Sequence, residues 1–147
     1  MSARPKEFRF PVDVVAEEGR RVLARVDGKA DLLVAPPPEF RGTDPTVWSP
    51  EDLFVGSVAT CLAVTFGGLA QRAGLPVRTC AVAGEGVVGQ RADGRFGFTS
   101  VLLRMRVETD AGAEEQAREL AWKAEETCLV SVSLDLPVEL ELELATG

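Results

Sequence analysis

The chain has 147 residues, a net charge of −7, no histidine, no tyrosine and three cysteines. Without imidazole there is no Ser-His-Asp triad, Cys-His dyad, HExxH zinc helix or histidine-ligated iron or copper. Three cysteines without a C-x-x-C spacing do not supply a four-thiolate metal site, and the acidic balance disfavours nucleic acid and anionic membrane as partners.

In chain order, the start MSARPKEFRF carries no apolar h-region, so the expectation is a cytoplasmic protein with reduced thiols. Residues of about 7–35 read as strands. Phe8, Phe10, Val12 and Val14 alternate with Arg9, Pro11 and Asp13, and Val22, Ala24 and Val26 alternate with Arg21, Leu23 and Arg25. Asp27-Gly28 signals a hairpin into Leu32, Leu33 and Val34, and Pro36 to Pro38 stop that strand because none can donate to a ladder. A loop with Phe40-Arg41-Gly42 leads to Trp48.

Ser49-Pro50-Glu51-Asp52 supplies a hydroxyl cap, a first-turn proline and two carboxylates at the positive dipole end. It predicts a helix over 49–74. Residues 53–71 carry no charge, which is long enough to span a bilayer. Gly56, Ser57, Thr60, Thr65, Gly67, Gly68 and Gln71 dilute the run, so the better expectation is the buried centre of a compact protein. The second half, 77–147, opens with long strands over 77–90 and 95–108, joined by Arg91-Ala92-Asp93-Gly94. A helix over 113–127 carries Ala113, Ala117, Leu120, Ala121, Ala124 and Cys128 on one stripe. Val138, Leu140, Leu142 and Leu144 alternate with glutamates as a closing strand. The order βββ-α-ββ-α-β is α+β, with mainly antiparallel sheets about a long central helix, in a single domain over 1–147.

With histidine and tyrosine absent, cysteine, carboxylate, arginine, lysine and hydroxyl remain for chemistry. Taken singly, Cys61 in mid-helix and Cys128 at a helix end read as small buried hydrophobes, and Cys80 on a strand reads as structural. Three features together say more. They are Pro50-Glu51-Asp52-Leu53, Ala59-Thr60-Cys61 on the helix that follows, and Cys128-Leu129-Val130-Ser131-Val132-Ser133-Leu134. With Arg41 in the preceding loop, this ordered set resembles the OsmC/Ohr family of thiol peroxidases, whose order of strands and helices matches across the whole chain. The proline that commonly follows the second cysteine is Leu129 here.

The resemblance implies an OsmC-like fold and a peroxidase of the oxidative stress response, using no metal or organic cofactor. Cys61 would attack an organic hydroperoxide or hydrogen peroxide and become a sulfenic acid. Cys128 would resolve it to a Cys61–Cys128 disulfide, and an external dithiol, of lipoyl type, would reduce that bond. An arginine would activate Cys61. Arg41 matches the OsmC-type position, and Arg20 or Arg21 the Ohr-type position. Glu51 would hold that guanidinium, or serve only as a first-turn carboxylate. Because Glu51 and Cys61 are about 15 Å apart along a straight helix, an Arg–Glu pair reaches Cys61 only if the helix breaks or a second subunit brings it. An intertwined homodimer is therefore expected. The competing readings are an OsmC-like protein that binds a small ligand or partner with idle thiols, and a redox sensor.

Overall fold

A computed structural model of the chain describes residues 3–147. The chain divides into two compact units, one ending at Asp52 and one running from Leu53 to Gly147. The first is a three-stranded antiparallel meander of β1 (Asp13–Ala16), β2 (Val22–Arg25) and β3 (Leu32–Val34). The alternation from Phe8 becomes strand only at Asp13, which pairs with Arg25 at the end of β2. Upstream of it no strand is left to accept the hydrogen bonds, and Phe8 and Phe10 stand 76% and 86% exposed. Val26 closes a turn instead of extending β2, its carbonyl accepting from the Lys29 N–H at 3.0 Å.

The prolines after β3 end it as expected. Pro38–Phe40 form a single 3-10 turn closed by Arg41 in the left-handed conformation (φ 63°), whose N–H donates to the Pro38 carbonyl at 3.1 Å. A side chain at Gly42 would run into the Pro36 carbonyl, so only glycine fits there. Ser49 is buried and caps the next helix reciprocally. Its hydroxyl accepts from the Asp52 N–H at 3.0 Å, and the Asp52 carboxylate accepts from the Ser49 N–H at 2.9 Å.

Helix α1 (Pro50–Ala73) starts in the last residues of the first unit and continues as the first element of the second. It ends in a Schellman turn, with the Gly74 N–H on the Gln71 carbonyl, the Leu75 N–H on the Ala70 carbonyl and Gly74 at φ 67°. Strands β4 (Val77–Gln90) and β5 (Phe96–Thr109) form the expected hairpin. After α2 (Glu114–Thr127) and the four-residue α3 (Leu129–Val132), β6 (Val138–Thr146) returns to pair with β5 in parallel, Val101 opposite Val138. A parallel pair needs a crossover, and α2 with α3 provides it.

Val58, Leu62, Phe66 and Ala70 form one stripe of α1. They share a core with Val101, Leu103, Met105 and Val107 of β5 and with Ala117, Ala121 and Ala124 of α2. The helix reaches the sheet closely because β4 is bare where it crosses. A Cβ on Gly86 would lie 2.6 Å from a Val55 methyl. Expectation and structure part on the rest of α1. It is the one helix among the described residues long and apolar enough to cross a bilayer, yet only that stripe is buried. Val64, on another face, is 75% exposed. Phe54, Ala59 and Leu69 are partly buried against the same core, and the face around Val64 is left open among the described residues.

Candidate functional site

Cys61 lies in the fourth turn of α1, one residue before the buried Leu62, and is partly exposed. Cys128 is fully buried. Its expected position at a helix C-terminus is only half of what the structure contains. Cys128 closes α2, its N–H on the Glu125 carbonyl at 3.4 Å, and also opens α3, its own carbonyl accepting from the Val132 N–H at 2.9 Å. This corner carries Cys128 beside Cys61, where each thiol shifts the acidity of the other, both as free thiols.

The two thiols shift in opposite directions. Burial pushes Cys61 up, but the hydrogen bond from the Cys128 thiol, the Val130 N–H, the Thr65 hydroxyl and the Leu129 N–H together bring it below the ordinary thiol value. The Thr65 Oγ1 lies 3.9 Å from the Cys61 Sγ, one helical turn on. Burial pushes Cys128 up, and its bond to Cys61 raises it further, against the Ser131 N–H and hydroxyl and the Val130 N–H. Cys128 therefore keeps its proton and donates it, and Cys61 is the thiol that ionises first. No guanidinium is among the groups that lower Cys61.

Sequence reasoning missed these donors. Thr65 had a signal, its i+4 spacing from Cys61, but the amides of Leu129 and Val130 had none, since any residue carries an N–H. Cys80 is an exposed residue of β4, and no hydrogen bond to its thiol is found among the described residues.

The remaining candidates belong to the first unit. Arg20 and Glu51 line one cavity of about 280 Å3, together with Val22, Val34 and Phe40. Arg41 lines a second of about 220 Å3, again with Arg20. Arg20 and Arg41 are also the two non-glycine residues with left-handed backbones among the described residues, at φ 64° and 63°. Arg20 Nη1 donates to the Phe40 carbonyl at 3.5 Å. Arg21 is engaged elsewhere, with its Nε on the Glu18 carbonyl at 3.4 Å and an Nη 3.9 Å from Asp44. Because Asp52 closes the helix cap, Glu51 is free of that task. Its Oε2 is out of solvent and has no hydrogen-bond partner. No ion pair joins Glu51 to any of the three arginines among the described residues. The same residues hold no cluster of three Cys, Asp or Glu side chains suited to a metal ion.

The family model described as OsmC-like protein matches residues 42–143. An uncharacterized protein of Bacillus subtilis (strain 168), YmaD, is 30% identical over 99 residues, which span 65% of this chain and 65% of that relative, just under two thirds of its length. The fold is that of an OsmC-like protein of unknown function from Vibrio cholerae O1 biovar eltor, with a TM-score of 0.86 at 19% identity over 92% of this chain and 99% of that one. An organic hydroperoxide resistance protein from Elizabethkingia anophelis, crystallised with thiocyanate bound, superposes with a TM-score of 0.74 at 22% identity over 97% and 100% of the two chains.

Proposed function

This chain belongs to the family of OsmC-like proteins, and we propose that it is a thiol peroxidase that reduces organic hydroperoxides with Cys61 and Cys128. The observation that carries the reading is the neighbouring thiol pair, with the partly exposed member made more acidic and the buried member less so. The thiolate is the nucleophile, and a disulfide needs two sulfurs already neighbours.

The Cys61 thiolate attacks the distal oxygen of the hydroperoxide. The O–O bond breaks, the alkoxide takes a proton and leaves as an alcohol, and Cys61 becomes a sulfenic acid. Cys128 then displaces that oxygen as water and closes the disulfide, and an external dithiol restores both thiols. A guanidinium stabilises the departing alkoxide, because it stays charged and presents a fork of donors. Arg20 is favoured over Arg41 for that part because it shares a cavity with Glu51.

The working unit is a homodimer in which Glu51 and the arginine of one copy serve Cys61 of the other. Two observations support it. Helix α1 is unbroken, so the ten-residue rise from Glu51 to Cys61 stays near 15 Å. Its uncovered apolar surface around Val64, with the exposed Phe8 and Phe10, suits a second copy. A reducing cytoplasm fits the resting dithiol.

A second reading, a family member that binds a small ligand and leaves its thiols idle, draws on the cavity beside Glu51 and on the lack of a guanidinium among the groups lowering Cys61. Incubation of the reduced protein with cumene hydroperoxide and dihydrolipoamide separates the two. The peroxidase consumes the hydroperoxide and stops when Cys61 is replaced by serine. A wild-type dithiol that survives excess hydroperoxide ends that reading.

A further inference from the structure

The segment after α2 carries three hydroxyls, and two of them behave as helical hydroxyls usually do. Thr127 Oγ1 donates to the Lys123 carbonyl at 2.8 Å, and Ser133 Oγ donates to the Leu129 carbonyl at 2.7 Å. Ser131 does not follow them. Its Oγ is out of solvent and completes no hydrogen bond, and the carbonyl four residues before it belongs to Thr127 of α2, across the extended corner at Cys128. A buried hydroxyl left without a partner is costly, so its retention calls for a reason. The group beside it is the sulfur of Cys128, fully buried three residues earlier. The Ser131 hydroxyl and N–H both act on that sulfur in the direction of the thiolate.

We infer that Ser131 is a positioning residue for disulfide closure, its hydroxyl held unpartnered in the resting dithiol so that it can donate to the Cys128 thiolate as that sulfur attacks Cys61. The inference rests on the peroxidase reading for its biological setting, though the closing step itself needs only an oxidised Cys61. In that step the Cys128 thiol loses its proton and its sulfur forms the S–S bond. The S–O bond of the Cys61 sulfenic acid breaks, and the departing hydroxide takes up a proton and leaves as water. A neutral thiol is a poor hydrogen-bond acceptor and a thiolate a good one, so the hydroxyl gains its partner when Cys128 ionises. Cys61 is the titratable side chain that faces Cys128 from α1, and Glu125 of α2 meets it through its carbonyl.

The test compares Ser131→Ala and Ser131→Thr with their parent, all carrying Cys80→Ala so that two thiols remain. One equivalent of cumene hydroperoxide is added to reduced protein. Sulfenic acid is captured with dimedone, and disulfide closure is followed by thiol loss over a range of pH. The expected result for Ser131→Ala is unchanged formation of sulfenic acid, closure slowed about fivefold with its pH profile moved upward, and an unaltered or higher melting temperature. Ser131→Thr keeps the hydroxyl and restores closure.

Diamide provides a second oxidant that requires no O–O cleavage. It adds to the Cys61 thiolate, and Cys128 displaces the resulting hydrazide to close the same bond. Closure slowed in Ser131→Ala with diamide, in a parent inert to hydroperoxide, ends the peroxidase reading and keeps the role of Ser131. Closure unchanged in Ser131→Ala with both oxidants overturns that role. Closure slowed equally in Ser131→Ala and Ser131→Thr overturns it too, because packing rather than the hydroxyl would then be at work.

Discussion

The thiols of Cys61 and Cys128 act on each other so that the acidity of the first is raised and that of the second is lowered. A donor thiol beside an acceptor thiol makes the two inequivalent although neither has a charged neighbour acting on it. On the peroxidase reading, this inequivalence would give attack and resolution to different sulfurs before any oxidant arrives.

The acidity of Cys61 is directly measurable. Iodoacetamide modifies the thiolate, so the rate at Cys61 should reach half its plateau below the pH of an ordinary thiol. Cys128→Ala removes the donor sulfur and should move that midpoint upward. Thr65→Val, which removes about one net hydrogen bond of roughly 1 kcal/mol, should act in the same direction and more weakly. A midpoint unmoved in Cys128→Ala refutes the hydrogen-bonded pair as the source of the shift.

Leu129 offers a sharper probe of the backbone. It opens α3, is 77% exposed, and its N–H is one of the donors acting on Cys61. Leu129→Pro deletes that donor with little structural penalty, because the first turn of a helix tolerates proline and Cys128, at ψ 118°, already has the conformation a following proline requires. The melting temperature should stay within a few degrees of wild type while the Cys61 alkylation midpoint rises. An unchanged midpoint assigns the shift to the remaining donors.

Glu51 separates stability from activity. Its buried Oε2 has no partner, so Glu51→Gln should leave the melting temperature unchanged or raise it, while hydroperoxide turnover falls. Arg20→Ala should impair turnover more than Arg41→Ala, since Arg20 shares the cavity with Glu51. Steady-state assays with cumene hydroperoxide check both, and a larger loss in Arg41→Ala reverses the assignment of the arginine.

Helix α1 supplies a test of assembly. Phe66→Ala empties a fully buried site and should cost about 3–5 kcal/mol in denaturant unfolding. Val64→Glu lies on the exposed side and should cost the isolated chain little. In a homodimer that covers this face, it should instead shift sedimentation toward the monomer. Turnover should be lost with it if the site draws on both copies. A fully active monomer removes the two-copy site.

The sequence by itself determined what short-range chemistry decides. Ser49 and Asp52 bound the start of α1 and Gly74 its end, the Asp93-Gly94 turn joins β4 to β5, and the prolines after Val34 stop β3. Each of these rests on groups a few residues apart, where the chain has few conformations to choose among. The order of elements, and with it the fold, follows from the same signals. Residues that meet across the chain were decided by tertiary structure. Ala117, Ala121 and Ala124 pack into the core that α1 shares, and with α2 so placed its end carries Cys128 to Cys61. The donors around the pair are mostly backbone amides, which no residue type announces. The exposed side of α1 shows the same division. Its composition predicts burial, but how much is buried depends on surfaces brought from elsewhere, and one chain fully buries only Val58, Leu62, Phe66 and Ala70.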